Sequence, residues 1–327
     1  MKPTILVTGG AGYIGSHAVL ELLDSEYNVV VLDNLVTGFA HQVDPRATFV
    51  EGQVEDDALV RRICSEHAIS GVLHFAGSVV VPESVENPLK YYRNNTAASR
   101  ALIEAVVASG VRHFIFSSTA ATYGLPETVP VTEDAPKWPI NPYGMSKLMT
   151  EYMLADVAAA HNFNYCALRY FNVAGADPKG RSGQSTTGAT HLIKLAVEVA
   201  CGKREQLSVF GTDYATPDGT GVRDYIHVTD LATAHVLALE ALFADPANSH
   251  TLNCGYGRGY SVFEVLSAVE RVTNHEIKRV LAPRRAGDPD CLVSDNRAIV
   301  SRFGWQPRYN DLDVIVRDAL NWERTLK

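Results

Sequence analysis

No apolar run in this 327-residue sequence approaches the roughly 18 residues of a membrane-spanning helix. The first apolar segment, Thr4-Ile5-Leu6-Val7-Thr8, is too short for a secretory signal. Blocks of like charge and basic patches are missing, and the formal net charge is −8, so neither a nucleic acid nor a membrane surface is expected as partner. No two cysteines stand as Cys-x-x-Cys. The five (Cys64, Cys166, Cys201, Cys254, Cys291) are far apart and odd in number, which favours free thiols in a reducing compartment over a disulfide frame. The 11 histidines include no His-x-x-x-His pair and no cluster with cysteine, so no metal site is expected. A Gly-x-Ser-x-Gly elbow is also missing, which argues against a serine hydrolase. There is no internal repeat or low-complexity segment. What is left is a soluble, cytoplasmic, globular protein.

Composition is ordinary for that class, 46% hydrophobic and 20% charged, and the length suits two lobes, or one large α/β domain with an appended region. The segment 4–8 is continuously apolar and β-branched, as a buried parallel strand should be. It runs into Gly9-Gly10-Ala11-Gly12-Tyr13-Ile14-Gly15-Ser16 and an amphipathic helix, and a second strand ends in Asp33-Asn34. Gly10, Gly12 and Gly15 give the G-x-G-x-x-G spacing; Gly9, Gly12 and Gly15 give the related G-x-x-G-x-x-G. Such glycines serve a tight turn, backbone approach to a pyrophosphate, and close helix–strand packing. An acid at the end of the second strand accepts from an adenosine ribose and repels a 2′-phosphate. With no arginine in 33–38, the sequence favours NAD over NADP.

The alternation continues. Strands are predicted at 48–50, 71–75, 113–116 and 165–170, with helices over 56–67, 88–110 and 147–160. The fold class is therefore α/β: a doubly wound, Rossmann-type parallel sheet over residues 1–175, and a smaller mixed substrate lobe over 176–327. A return of the chain to the first unit is expected around 222–255. The Gly/Ser/Thr-rich stretch 176–190 reads as a boundary or mobile flap. Ligands of such sheets lie beyond the carboxyl ends of the strands. The glycine turn, Asp33, Phe75-Ala76-Gly77 and Ser117-Ser118-Thr119 all sit on that rim, and five prolines between 126 and 142 form a loop that delivers Tyr143 to it. Tyr143 and Lys147 are four apart and share a helix face. An adjacent ammonium should lower the phenol pKa toward neutrality. With Thr119 to hold a hydroxyl, the trio suits oxidation or reduction of an alcohol carbon. Arg223, Arg284 and Arg285 suit a phosphate-bearing substrate.

These residues belong to a wider set of motifs. Thr8-Gly9-Gly10-Ala11-Gly12-Tyr13-Ile14-Gly15-Ser16-His17, His74-Phe75-Ala76-Gly77, Tyr91-Tyr92-Arg93-Asn94-Asn95, Pro142-Tyr143-Gly144-Met145-Ser146-Lys147, Arg169-Tyr170-Phe171-Asn172, Gly221-Val222-Arg223-Asp224-Tyr225-Ile226-His227-Val228 and Arg284-Arg285-Ala286-Gly287-Asp288 together resemble the UDP-glucose 4-epimerase family. That family belongs to the extended short-chain dehydrogenases/reductases. The resemblance runs from about residue 4 to beyond 310. It implies a tightly held NAD that is not consumed. Hexose C4 of UDP-galactose is oxidised, the 4-keto sugar turns over, and reduction of its other face gives UDP-glucose. By motif position Tyr143 is the acid/base, Lys147 the nicotinamide-ribose ligand and Thr119 the hydroxyl partner. NAD contacts are implied at Gly9, Gly12, Tyr13, Ile14, Gly15, Asp33, Asn34, Gln53, Val54, Phe75, Ala76, Gly77, Asn94, Thr119, Tyr143, Lys147 and Phe171. UDP-sugar contacts are implied at Thr119, Tyr143, Asn172, His191, Leu192, Phe210, Arg223, Arg285 and Asp288. A homodimer is implied as well, through the helices over 88–110 and 143–160.

The sequence departs from the family pattern in four places. Gln53 stands for an aspartate near the adenine, Val79 for a lysine near the cofactor phosphates, Thr190-His191 for paired asparagines, and Leu292 for a bulky tyrosine found in some members. The smaller Leu292 leaves a second reading open, a 4-epimerase for another UDP-sugar (N-acetylhexosamine, pentose or uronate). A nucleotide-sugar 4,6-dehydratase would carry Asp-Glu after Thr119; here Ala120-Ala121 follow. A non-catalytic NAD-binding protein would be expected to lose Tyr143, Lys147 or Thr119, and all three are present.

Overall fold

The structure is a computed structural model that describes residues 2–285 and 288–326. Its strands are β1 (Thr4–Thr8), β2 (Asn28–Asp33), β3 (Thr48–Glu51), β4 (Ile69–His74), β5 (His113–Thr119), β6 (Asn164–Tyr170), β7 (Asn172–Ala174), β8 (Leu207–Phe210), β9 (Val222–His227), β10 (His250–Cys254), β11 (Gly259–Ser261), β12 (Arg279–Ala282) and β13 (Cys291–Leu292). Seven of them form one parallel sheet in the order β3-β2-β1-β4-β5-β6-β10. This is the doubly wound architecture expected from the sequence. Strand order reverses between β1 and β4, which opens a crevice at their carboxyl ends.

Alternation along each strand sends successive residues to opposite faces. Ile5, Val7, Val29, Val31, Leu73 and Ile115 pack on one face with the helices Tyr13–Asp24 and Val228–Ala244. Leu6, Val30, Leu32, Val72, Phe114 and Phe116 pack on the other with Asp57–Glu66 and Ala98–Ala108. Both faces are covered, which is why the middles of these strands are apolar on both sides. Beyond the carboxyl edge lies a second layer, with β7, β9, β11 and β13 in one sheet and β8 paired with β12. A third core, including Val197, Leu266 and Ile315, lies under it.

Several local expectations need correction. The helix expected from 147 starts at Pro142, because Asn141 Oδ1 caps it by accepting from Gly144 N at 2.9 Å, and proline suits the first position. The single helix expected over 88–110 is α-helical at Pro88–Tyr91 and Ala98–Ala108 but π-helical at Tyr92–Ala97. The stretch read as a boundary or flap is tied down between 177 and 185. Arg181 pairs with Asp177 and Asp24, Ser182 Oγ meets Ser16 Oγ at 2.7 Å, Gln42 Nε2 donates to Gly183 O at 3.0 Å, and Trp322 Nε1 donates to Ser185 Oγ at 3.2 Å. Among the described residues no helix is long and apolar enough to cross a membrane.

Candidate active site

The turn after β1 is shaped by contacts that exclude side chains. Gly9 has φ +72°, and a Cβ there would lie 2.6 Å from the backbone N of Ala76, so this turn touches the one that follows β4. A Cβ on Gly15 would lie 2.2 Å from Gly9 O. Gly12 differs: a Cβ there meets only Gly9 O at 3.3 Å, with open space beyond. Gly12 precedes the Tyr13–Asp24 helix and offers no side-chain acceptor, so the N–H groups of the first turn face that space and suit an anion. Beside it, Asp33 Oδ2 accepts from Ala11 N at 3.0 Å and Oδ1 from Leu35 N at 2.8 Å. Each carboxylate oxygen retains a lone pair for a ligand hydroxyl. Asn34 Nδ2 donates to Gln53 Oε1 at 2.9 Å at the same end of the crevice.

Not every residue named for the cofactor presents its side chain to the crevice. Val54 packs into the core with Leu32 and Val60. The Phe75 ring lies 4.8 Å from the His235 ring, so the turn at 75–77 faces the glycine turn through its backbone. The Tyr13 phenol donates to Gly175 O at 2.7 Å.

Tyr143 and Lys147 project from the first turns of one helix and are 7% and 3% exposed. Lys147 Nζ donates to Ser117 O at 2.9 Å and stands 4.9 Å over the Phe116 ring; burial lowers its pKa to about 8. Burial raises the Tyr143 phenol above its ordinary value, and hydrogen bonding with Thr119 opposes that rise. The expected lowering of the phenol by Lys147 is therefore not what this structure shows. The ammonium is held by the Ser117 carbonyl, and desolvation of the phenol dominates. Thr119 Oγ1 accepts from Ala121 N at 3.1 Å, which leaves its own hydroxyl hydrogen to donate.

Sequence reasoning named Asn94 and missed Asn95. Asn94 Nδ2 donates to Ser78 Oγ at 3.1 Å. Asn95, 2% exposed, accepts from Ser78 N at 2.7 Å and donates to Ser78 O and to Ser146 Oγ, each at 3.0 Å. Ser146 Oγ in turn donates to Tyr143 O at 2.7 Å. The turn after Gly77 is thus bolted to the helix that carries Tyr143. Both asparagines lie in the π-helical turn, which changes the angular spacing of neighbouring side chains. Two adjacent asparagines inside a helix, where they are poor formers, were the available signal.

On the second layer, Arg223 ion-pairs with Asp288 and its Nη1 donates to Val222 O at 2.8 Å. The Arg285 guanidinium lies 3.8 Å from the centre of the Phe210 ring. Arg284 is engaged elsewhere, with Asp213 at 2.7 Å and over the Tyr214 ring. Asn172, His191 and Leu192 line one pocket together with Gln184 and Tyr225. His191 is hydrogen-bonded to Gln184 Nε2 at 2.8 Å, and burial lowers its pKa. Leu292, opposite Arg223 in the β13–β9 pairing, packs against the cluster of Phe171, Tyr123 and Val131.

The sequence profile of the NAD dependent epimerase/dehydratase family matches residues 5–255. The chain belongs to this family. It is 53% identical over 326 residues to a UDP-glucose 4-epimerase of Azospirillum brasilense, spanning 100% of this chain and 93% of the relative. The crystal structure of UDP-glucose 4-epimerase from Brucella ovis in complex with NAD is 44% identical, covers 98% of each chain and superposes with a TM-score of 0.94. The UDP-Glc/GlcNAc 4-epimerase from Campylobacter jejuni is 46% identical, covers 99% of each chain and gives 0.86. The dinucleotide of this epimerase/dehydratase family fits the residues present. The space over Gly12 takes a backbone-bound diphosphate, Asp33 has lone pairs to spare, and Lys147 brings a buried cation to the far end of the same rim.

Proposed function

We propose that this chain interconverts UDP-galactose and UDP-glucose by transient oxidation at hexose C4, with NAD bound throughout. The observation that carries the reading is the buried trio Thr119, Tyr143 and Lys147 at the carboxyl rim, next to a dinucleotide cradle. When bound, NAD accepts a hydride at its nicotinamide ring in the oxidised form and donates one in the reduced form. The chain handles the proton. Thr119 donates to the C4 oxygen and fixes it; the Tyr143 phenolate takes the hydroxyl proton, keeps it, and returns it to the oxygen of the other stereoisomer. Burial raises the phenol, so its ionisation in the loaded site would draw on positive charge at the rim, from Lys147 once NAD and substrate are bound. Lys147 also holds the nicotinamide ribose. Gly9, Gly12, Tyr13, Ile14 and Gly15 hold the diphosphate, Asp33 and Asn34 the adenosine. Ala120 and Ala121 carry no acid or base, so the 4-keto sugar is not dehydrated.

Asn172, His191, Leu192, Phe210, Arg223, Arg285 and Asp288 hold the uridine diphosphate. For Arg223 and Asp288 this means opening their mutual pair toward the ligand. Leu292, half-buried beside the Phe171 cluster, favours a second reading in which UDP-N-acetylhexosamines also turn over. Residues 1–175 form the dinucleotide unit, rejoined around 222–255, and the remainder mainly binds the UDP-sugar. The five free cysteines suit a reducing, cytoplasmic setting. Leu89 and Tyr152 are exposed on the helices proposed to pair two copies.

Purified protein given UDP-galactose without added NAD should form UDP-glucose. Tyr143→Phe should lose turnover by at least about 10³-fold while still folding and binding NAD. A Tyr143→Phe enzyme that works at the wild-type rate would remove the reading.

A further inference from the structure

The stripe that carries Tyr143 and Lys147 continues one turn on to Glu151, at i, i+4 and i+8 of the same helix. Glu151 is 5% exposed and has no part in the chemistry above. Its carboxylate takes three hydrogen bonds. Arg169 on β6 gives two in fork geometry, Nε to Oε1 at 2.9 Å and Nη2 to Oε2 at 2.5 Å, and Ser118 Oγ gives the third to Oε1 at 2.5 Å. Ser118 and Arg169 are register partners across β5 and β6, and the next pair along is Thr119 with Tyr170. The carboxylate is thus anchored beside the residue that precedes Thr119. Arg169 reaches further: Nη1 donates to the Tyr123 hydroxyl at 2.9 Å, and that hydroxyl donates to Asn253 Oδ1 at 2.7 Å.

A buried ion pair is a weak source of stability, since desolvation offsets most of the Coulombic gain and apolar replacement is often neutral. Geometry is what it supplies here. We propose that Glu151, through Arg169 and Ser118, is a positioning residue for the epimerase reaction. It fixes the helix face bearing Tyr143 and Lys147 against the strand end bearing Thr119, so that phenol and hydroxyl meet one substrate oxygen. The inference rests on the reading of Tyr143 as the acid/base. A shift of about 1 Å between such groups costs on the order of 100-fold in rate.

Two variants test it: Glu151→Gln, which keeps the shape, and the double variant Glu151→Leu/Arg169→Met, which replaces the pair with apolar volume. Melting temperature, bound NAD, KM for UDP-galactose and kcat are measured on each beside the wild type. The expected result is a folded protein with wild-type NAD content, KM within about twofold, and kcat reduced about 10- to 100-fold. A folded variant with kcat within twofold of the wild type overturns the inference, as does a loss of kcat that tracks loss of NAD. If the wild type itself fails to turn over UDP-galactose, the functional reading falls and this inference with it. A working wild type beside fully active variants overturns the inference alone.

Discussion

Burial acts in opposite directions on the two ionisable groups that share the rim, raising the Tyr143 phenol and lowering Lys147 to about 8. Near neutral pH the resting site therefore holds a neutral tyrosine and a mostly charged lysine. Lys147→Met should cut kcat by at least about 100-fold and move the acid limb of the pH–rate profile upward, since a cation that favours phenolate is gone. An unchanged acid limb would show that Lys147 acts on the ribose alone. Three buried histidines make a separate prediction. Burial lowers His17 and His235 to about 4 and His74 to about 3, while the unfolded chain titrates near 6.5. Between those values the unfolded state binds more protons, so stability falls as pH falls. At pH 4, His17 and His235 should each cost roughly 3 kcal/mol relative to neutral pH. A melting series from pH 7 to 4 should decline steeply below about 6.5, and a flat series would contradict it. Tyr143 and Lys147 were legible because their partners are local in sequence and a rim of strand ends surrounds them. Asn95 was not, because its partners Ser78 and Ser146 are 17 and 51 residues away.

Elements differ in how plainly the sequence announces them. β1 and β2 carry continuous apolar runs covered on both faces, and their strand character is visible in the residues alone. β10 carries His250 and Asn253 among its five residues, and its strand state comes from pairing with β6. The glycine turn was legible down to single residues, and it gives a sharp test. A methyl group at Gly15 would meet the Gly9 carbonyl and the Gly10 Cα, so backbone has to move. Gly15→Ala should cost about 1–3 kcal/mol and leave the purified protein with little bound NAD. Full NAD content in that variant would mean the diphosphate sits elsewhere. The tied segment at 177–185 was not legible, because Ser16, Gln42, Asp24 and Trp322, which hold it, come from distant parts of the chain. A Cβ at Gly183 would lie 2.3 Å from Trp322 Cγ, so Gly183→Ala should shift tryptophan fluorescence and lower the melting temperature.

At the scale of the molecule, the sheet fixes one half of the site and the second layer the other. The dinucleotide half is built from strand ends that sequence alone could order. The half proposed for the UDP-sugar depends on pairings such as β7 with β9 and β9 with β13, which join the strands carrying Asn172, Arg223 and Leu292 from three separate segments. Two copies should associate through the helices that expose Leu89 and Tyr152; sedimentation of Leu89→Glu should show monomer where the parent shows dimer, and a monomeric parent would end that proposal. The central claim is that hydride leaves C4 and returns to C4 within one turnover. UDP-galactose deuterated at C4, given to the purified protein without added NAD, measures this directly by mass and position of label. The account predicts UDP-glucose that keeps its deuterium at C4 with no accumulation of reduced nicotinamide. Loss of the label to water, or NADH formed in step with substrate consumed, would contradict it.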